Sequence, residues 1–224
     1  MNLSRRTLIA SAAIIPLVVL PGCAGTGAFS LVEAIRRLLS LSSQRAFASL
    51  LRENGFFDDQ ITRISLPDAI GGARAGGVVT ALLRSKGVRD RMLIQVNRAA
   101  EKGAEAAAPI VTQAIRSISI DDAVLLVRGG PTAATDALSR KMGGALVIAM
   151  APQIDGGLKL FDNAIVSEVL RAATGIDFAG LRDDVNAKAS AAIYRAIGRE
   201  ETAIRTNPRA TGDPLLIGVF GLLK

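Results

Sequence analysis

Acidic side chains are the groups in this sequence best able to do chemistry, because the chain has no histidine and a single cysteine. Without histidine, the usual general base near neutral pH is missing, and Ser-His-Asp and Cys-His catalysis are excluded. Glu101 and Glu105 lie one helical turn apart, where two carboxylates could share a proton or bind a hard cation. If Glu101 and Glu201 converged in a cleft with raised pKa values, they would supply a hydrolase with its acid and base.

Basic residues close to these acids favour a plainer interpretation. Arg98 and Lys102 flank Glu101, which predicts a salt-bridged helix face, and Arg205 lies four residues after Glu201 at ion-pair spacing. The Asp-x-Asp-x-Asp-Gly spacing of a calcium loop does not occur. We therefore predict no catalytic residue, no cofactor and no metal site, with Glu101 and Glu201 as the candidates if the domain is an enzyme.

The segment 128–132, Arg-Gly-Gly-Pro-Thr, is glycine-rich and precedes a predicted helix. Backbone N–H groups at such a helix start could hold an anion, but the Lys-Ser/Thr of a phosphate-binding loop is absent. We predict a turn between two helices here. The preceding Asp121-Asp122 is interpreted as a helix cap whose charges complement the helix dipole.

The amino-terminal segment has the three parts of an export signal in order. Arg5 and Arg6 form a charged start, and residues 8–20 form an apolar run too short to cross a bilayer as a stable helix. Residues 20–23, Leu-Pro-Gly-Cys, resemble a lipobox, in which a small residue precedes a cysteine that receives diacylglycerol before cleavage in front of it. As the only cysteine, Cys23 forms no internal disulfide. The alternative is a buried cysteine in an ordinary membrane-anchor helix.

The lipobox resemblance implies a division of the chain into three parts. Residues 1–22 are a cleaved signal, residues 23–29 are the lipidated cysteine and a short flexible tether, and residues 30–224 are a single helical domain. Two or three acyl chains hold a protein firmly to a membrane, whereas one chain holds it weakly.

The export route and the destination follow from two further features. Residues 4–9, Ser-Arg-Arg-Thr-Leu-Ile, resemble a twin-arginine signal built on Arg5 and Arg6, although Ala10 replaces the frequent lysine. General secretion remains the alternative. Ala24 is not the aspartate associated with retention at the inner membrane, so we expect the periplasmic face of the outer membrane.

The charge balance bears on possible partners. The chain has 27 basic and 20 acidic side chains, and loss of Arg5 and Arg6 with the signal leaves 25 basic ones. A basic surface favours polyanions, which for an exported protein means anionic lipid headgroups. A solvated surface of mixed charge is the simpler alternative. Nucleic acid is not expected as a partner, because the compartment supplies little of it.

Apolar residues recur at helical spacing along the chain, and aromatic residues make up only 4% of it. We predict an all-α fold, a compact bundle of about seven to nine helices. The predicted helical regions are 30–54, a helix beginning at 66–68, 89–118, 119–128, a helix from 132, 145–172, 179–205 and 213–223.

Several local features refine this pattern. Ser30 and Glu33 have capping-box spacing, which predicts a helix start. Pro109 is expected to kink or divide its helix, and Pro152 and the Gly156-Gly157 pair are expected to break theirs. Ile61 and Ile64 are predicted to be buried in the linker 56–66.

Four stretches resemble a known family in their motifs and order. They are Asn54–Phe57 leading to Ile64–Pro67, Val96–Glu101, Asp121–Thr135, and Glu200–Pro208 closing with Val219–Gly221. Over about residues 40–221, the chain resembles the bacterial domain of unknown function 4197. The resemblance implies an exported, lipoprotein-like and mainly helical protein, and it implies no particular activity.

These observations leave two functions from different classes. The first is a membrane-anchored periplasmic lipoprotein that binds an apolar or anionic ligand, or an envelope protein, without catalysis. The second is a periplasmic hydrolase that depends on carboxylates such as Glu101 and Glu201. The first requires a cavity or groove, and the second requires converging acids.

Overall fold

Helices account for all the regular secondary structure in the part of the chain that is described. The structure is a computed structural model, and it describes residues 26–67, 81, 85–118, 123–161 and 163–222. No β-strand occurs within these ranges, which confirms the all-α prediction. The eight α-helices described are α1 Thr26–Leu50, α2 Lys86–Arg116, α3 Ala123–Arg128, α4 Ala133–Met142, α5 Ala145–Gly157, α6 Ala164–Thr174, α7 Phe178–Thr206 and α8 Pro214–Gly221.

Three long helices form the centre of the bundle. α1, α2 and α7 pack against one another, and α5 packs across α2 and α7. Their facing sides carry Ala, Leu, Ile and Val, as in Ile35, Leu38, Val96 and Ile193, which are all fully buried. Burial of apolar side chains at this spacing supplies the main driving force for helix association.

Small residues let α2 and α5 approach closely. A Cβ atom added at Gly157 would lie 2.8 Å from the Cα atom of Ala99, and one added at Gly103 would lie 2.9 Å from Ile154 Cγ1. A Cβ atom added at the neighbouring Gly156 would have no other atom within 4 Å. The abundant alanine and glycine of the sequence therefore serve tight helix packing at some positions only.

The linker after α1 is held in place by a buried side chain of α2. Asn97 is fully buried; its Oδ1 atom accepts from Ile64 N at 2.8 Å, and its Nδ2 atom donates to Ile64 O at 3.0 Å. Ile64 is buried as predicted, whereas Ile61 is 49% exposed. The prediction for Ile61 is wrong because Asn97 fixes the backbone so that only Ile64 faces the core.

The start of α1 differs from the prediction. The helix begins at Thr26, so Ser30 lies inside it, and the predicted tether over residues 23–29 overlaps its first turn. Glu33 does not complete a capping box, because its Oε1 atom accepts a hydrogen bond of 2.9 Å from Arg37 Nε. Once a helix is nucleated, each further residue adds a hydrogen bond at little cost, which accounts for the longer helix.

The predicted helix breaks also differ in part from the helix ends in the structure. Pro109 lies inside α2, which continues without division to Arg116, and Pro152 lies inside α5. The Gly156-Gly157 pair does end α5, and the region 145–172 is accordingly split into α5 and α6. The helix predicted to begin at residues 66–68 falls mainly on residues outside the described ranges.

Among the described residues, no helix is both long and apolar enough to span a bilayer.

Candidate functional site

The carboxylate of Glu201 lies in the protein interior and binds the start of α4. Glu201 is fully buried on α7. Its Oε1 atom accepts from Ala134 N at 3.0 Å, and its Oε2 atom accepts from Thr135 N at 2.7 Å and from Thr135 Oγ1 at 2.6 Å. The residue that precedes α4, Thr132, makes no side-chain capping hydrogen bond. Glu201 therefore caps α4 from a different helix.

Arg205 joins the same network to two other helices. Its Nε and Nη2 atoms each lie 2.8 Å from Glu201 Oε1, and the ion pair is almost completely shielded from solvent. Nη1 and Nη2 also donate to the carbonyl oxygens of Val127 and Leu126 at the end of α3. The guanidinium carbon lies 4.8 Å from the centre of the Phe220 ring on α8. One ion pair thus connects α3, α4, α7 and α8.

This arrangement bears on the chemistry predicted for the region. Both oxygens of Glu201 are occupied by donors of the protein itself, an arrangement that builds structure and leaves no free lone pair in a cleft. The N–H groups at the start of α4, considered above for anion binding, already bind this carboxylate. Residues 128–132 form the predicted turn between α3 and α4.

Glu101 occupies a different environment on α2. Burial raises the pKa of its carboxyl group, and Glu53 adds to that effect, while the backbone N–H groups of Phe56 and Gly55 and the charge of Arg98 oppose it. The Oε1 atom is buried without a hydrogen-bond partner. Glu101 therefore faces the turn after α1, whereas Glu201 is bound at the start of α4.

The predicted salt-bridged face around Glu101 is not formed. Among the described residues, no ion pair joins Arg98 or Lys102 to Glu101 or Glu105. Glu101 is partly buried while Glu105, Arg98 and Lys102 are exposed, and the charge of Arg98 acts on Glu101 without a direct ion pair. The i,i+4 pair of Glu201 and Arg205 is formed, but in the interior.

The remaining candidates lie outside the described residues. These are the lipidation candidate Cys23, the signal residues Arg5 and Arg6, and the predicted cap Asp121-Asp122. Within the described ranges, no three acidic or cysteine side chains come together as a metal site would require.

An open groove of about 750 Å³ runs along α7, opposite α4. Small side chains of α7, including Ala187, Ser190 and Ala191, line it on one side, and the hydroxyl groups of Thr132 and Ser139 line it on the other. The exposed side chain of Ile61 contributes to its edge. Its volume lies in the range of natural ligand sites, which is roughly 300–1,000 Å³.

One of the two arginines around this groove has no carboxylate partner in the described part of the chain. Arg199 forms an ion pair with Asp59 on the neighbouring segment. Burial raises the pKa of Asp59, but the Arg199 guanidinium group and the backbone N–H group of Ile61 together lower it. Arg195 also lines the groove, forms no ion pair among the described residues and uses only its Nε atom, in a 3.0 Å bond to Ile61 O. The remaining N–H groups of Arg195 are therefore the charged donors that the groove offers to an anionic occupant.

The groove also contains a partly buried phenol. Burial raises the pKa of Tyr194, an effect that a hydrogen bond with Ser139 partly opposes. Tyr194 Oη donates to Met142 Sδ at the end of α4 over 3.5 Å. The hydroxyl group is protonated at neutral pH, and a bound acceptor would replace this weak sulfur partner.

The sequence did not predict the long-range contacts of three residues that connect distant parts of the chain, namely Asn97, Thr135 and Phe220. All three lie within the stretches that carry the family resemblance. The first two stretches meet where Asn97 binds Ile64, and the last two meet where Glu201 and Arg205 bind the ends of α3 and α4. Pairing of the stretches in space is the signal that a single sequence does not display.

Comparisons with known proteins identify the family. No curated protein and no solved structure matches the chain significantly. The family described as "Protein of unknown function (DUF4197)" matches residues 26–221, which covers every helix described above. The chain therefore belongs to the DUF4197 family.

Proposed function

We propose that this protein is a membrane-anchored lipoprotein of the periplasm that binds a small anionic ligand in the groove along α7. The observation that carries the proposal is the groove itself, open to solvent and lined by hydroxyl groups and by the guanidinium group of Arg195, which has no carboxylate partner among the described residues. Its lining offers hydrogen-bond donors to an anion, and its small side chains leave room for the rest of the ligand.

The positions of the two candidate acids, Glu101 and Glu201, favour a binding protein over a hydrolase. A carboxylate hydrolase needs two acids that converge on a substrate, one of them as a proton donor. Glu201 has its oxygens occupied by the α4 N-terminus and Arg205, and Glu101 has a separate set of neighbours near Gly55. The raised pKa of Glu101 meets one requirement of a hydrolase, but Glu201 does not supply the second acid, because its oxygens are bound to the start of α4.

The anchor in this proposal is lipid on Cys23. Its support is the sequence alone: an apolar run, a Leu-Pro-Gly-Cys segment and a thiol with no second cysteine to pair with. Ala24 supports delivery to the periplasmic face of the outer membrane. The pair Arg5 and Arg6 supports the twin-arginine route, which would allow the domain to fold before export.

We expect replacement of Cys23 by alanine to release the protein from its normal membrane attachment. The reason is that no other acceptor for a thioether-linked lipid exists in the chain. The measurement is metabolic labelling with a radioactive fatty acid, followed by fractionation of the envelope. The parent chain should carry label in the outer-membrane fraction, and the Cys23→Ala variant should carry none. Equal labelling of both chains would disprove the anchor.

Filling the groove should remove the bound ligand. Ala191 is exposed and lines the groove, so the Ala191→Leu change narrows the groove without disturbing the core. We expect native mass spectrometry of protein purified from membranes to show an anionic ligand on the parent, and at least about tenfold less on this variant.

A matched control is available on the same helix. Ala203 is also an exposed alanine of α7, but it does not line the groove. The Ala203→Leu variant should carry as much ligand as the parent. A parent that carries no small molecule, or equal occupancy in both variants, would rule out the ligand and leave only a protein partner for the groove.

A further inference from the structure

We propose that the end of the bundle next to the amino terminus of α1 docks on an anionic lipid surface. The surface consists of Val124, Leu125 and Arg128 on α3 and Leu222 after α8, and we call it the end surface. The inference rests on the proposed lipid anchor, and it adds a second, non-covalent contact between the domain and the membrane.

Large apolar side chains are unusually exposed on the end surface. Leu125 is 73% exposed and Leu222 is 85% exposed, while Val124 is 47% exposed. Six large apolar side chains are exposed among the described residues, and three of them lie here. Grouped apolar exposure of this kind is typical of protein or membrane contacts.

The contacts of Arg205 bring α3 and α8 together at this end. Its guanidinium group binds the carbonyl oxygen of Leu126, next to Leu125, and lies over the ring of Phe220, two residues before Leu222. The exposed leucines of the two helices therefore flank a common neighbour. The same buried network that joins the family stretches positions the apolar part of the end surface.

The position of α1 relates this end of the bundle to Cys23. Arg36 Nη2 donates to Ile118 O just after the end of α2, so α2 does not extend along the part of α1 that precedes Arg36. Val32 and Ile35 in this part are nevertheless buried. Besides α2 and α7, the helices packed most extensively against α1 are α3 and α8, the two that carry the exposed leucines.

The tether leaves the domain little freedom to move away from the bilayer. Only Ala24 and Gly25 separate Cys23 from Thr26, where α1 begins. Three residue steps span at most about 11 Å. A lipid chain on Cys23 would thus hold the first turn of α1 at the headgroup layer, with the neighbouring α3 and α8 beside it.

Charge complementarity identifies the surface as anionic lipid. Arg128 on α3 is exposed, and it forms no ion pair with a carboxylate among the described residues. An unpaired cation on the same short helix as exposed apolar side chains matches the two layers of a bilayer surface, with headgroup phosphates outside and acyl chains below. A protein partner would not require a positively charged surface, whereas an anionic headgroup layer would.

The test places a fluorophore on the end surface of the full lipoprotein. Lipid occupies the thiol of Cys23, so a maleimide dye should react only with the Leu125→Cys variant or with its control, Ile148→Cys. Ile148 is 75% exposed, similar to Leu125, but it lies on α5, which packs on α2 and α7. The labelled proteins are reconstituted into vesicles of phosphatidylcholine with about one-third phosphatidylglycerol.

We expect iodide to quench the dye at position 125 at least about threefold less than the dye at position 148. In detergent solution, the two positions should be quenched alike. Equal quenching of the two positions on vesicles would disprove docking by the end surface, and it would not contradict the lipid anchor. Dye on the parent chain would show a free Cys23 thiol, which contradicts the lipid anchor instead.

Charge variants test the anionic preference separately. The Arg128→Glu change, which reverses the charge, should abolish most of the protection at position 125. The control is Lys86→Glu, which makes an equal change of charge at the start of α2, about 45 Å from the end of that helix for a rise of 1.5 Å per residue. Equal protection in both variants, or on pure phosphatidylcholine vesicles, would disprove recognition of anionic lipid.

Discussion

Replacing Glu201 with alanine is expected to lower the free energy of unfolding by about 3–5 kcal/mol. The change leaves the Arg205 guanidinium group buried without its counter-charge and removes the partners of two backbone N–H groups and one hydroxyl group. An uncompensated buried charge costs more than the original pair contributes, because the remaining ion has lost both water and its partner. Urea unfolding followed by circular dichroism measures the loss.

Glu200 supplies the control for this prediction. It is the residue before Glu201 on α7, and its Oε1 atom lies 4.0 Å from Arg199 Nε, in a long and partly exposed ion pair. Exposed pairs of this kind are worth about 0–1 kcal/mol, so Glu200→Ala should change stability little. If Glu201→Ala costs no more than Glu200→Ala, the buried network does not stabilise the fold as described.

A second variant separates the ion pair from the helix cap. Glu201→Gln keeps an oxygen acceptor for α4 but removes the negative charge beside Arg205. We expect it to be destabilised, though less than Glu201→Ala, because some capping hydrogen bonds remain. A loss equal to that of Glu201→Ala would mean that the charge, and not the cap, accounts for the effect.

Asn97→Ala is the other substitution for which we expect a large loss, about 2–4 kcal/mol. The change leaves the N–H and carbonyl groups of Ile64 without the side-chain partners that hold them in the interior. An unsatisfied buried polar group costs about 1–3 kcal/mol, and two are created here. Urea unfolding measures the total loss of unfolding free energy. Hydrogen exchange at the Ile64 amide shows where the loss arises, since that amide should lose its protection first.

Asn186 is a matched control on α7. It is also a buried asparagine, but its Nδ2 atom makes one hydrogen bond, to Val147 O, and its Oδ1 atom has no partner. Asn186→Ala should therefore cost about 1 kcal/mol. An equal loss for the two variants would mean that the cavity left by the side chain, and not the bonds to Ile64, determines the effect.

Both predictions concern positions inside the stretches that identify the family. The structure gives these positions a role in holding the chain together: Asn97 fixes the linker after α1, and Glu201 with Arg205 fixes the helices on either side of the turn at 128–132. The groove along α7 and the end surface are the places where function is to be tested.

Local patterns in the sequence predicted much of the fold. The helical spacing of apolar residues predicted helices over 89–118 and 179–205, and the structure confirms them as α2 and α7. Boundaries were less predictable. Ser30 had the spacing of a cap, yet α1 starts at Thr26, since each residue added to a nucleated helix gains a hydrogen bond at little cost.

The sequence by itself determined the helical class, the family and the narrow range of possible chemistry, because these depend on periodicity, motif order and residue type. Lipid on Cys23 remains a prediction from the same source. Only the tertiary structure decided which acid is buried. Glu101 and Glu201 look alike in sequence, but helices brought together from distant parts of the chain place donors around Glu201 and leave Glu101 beside a turn. Contacts between residues more than 60 positions apart cannot be read from local spacing, and those contacts give Glu201 its role.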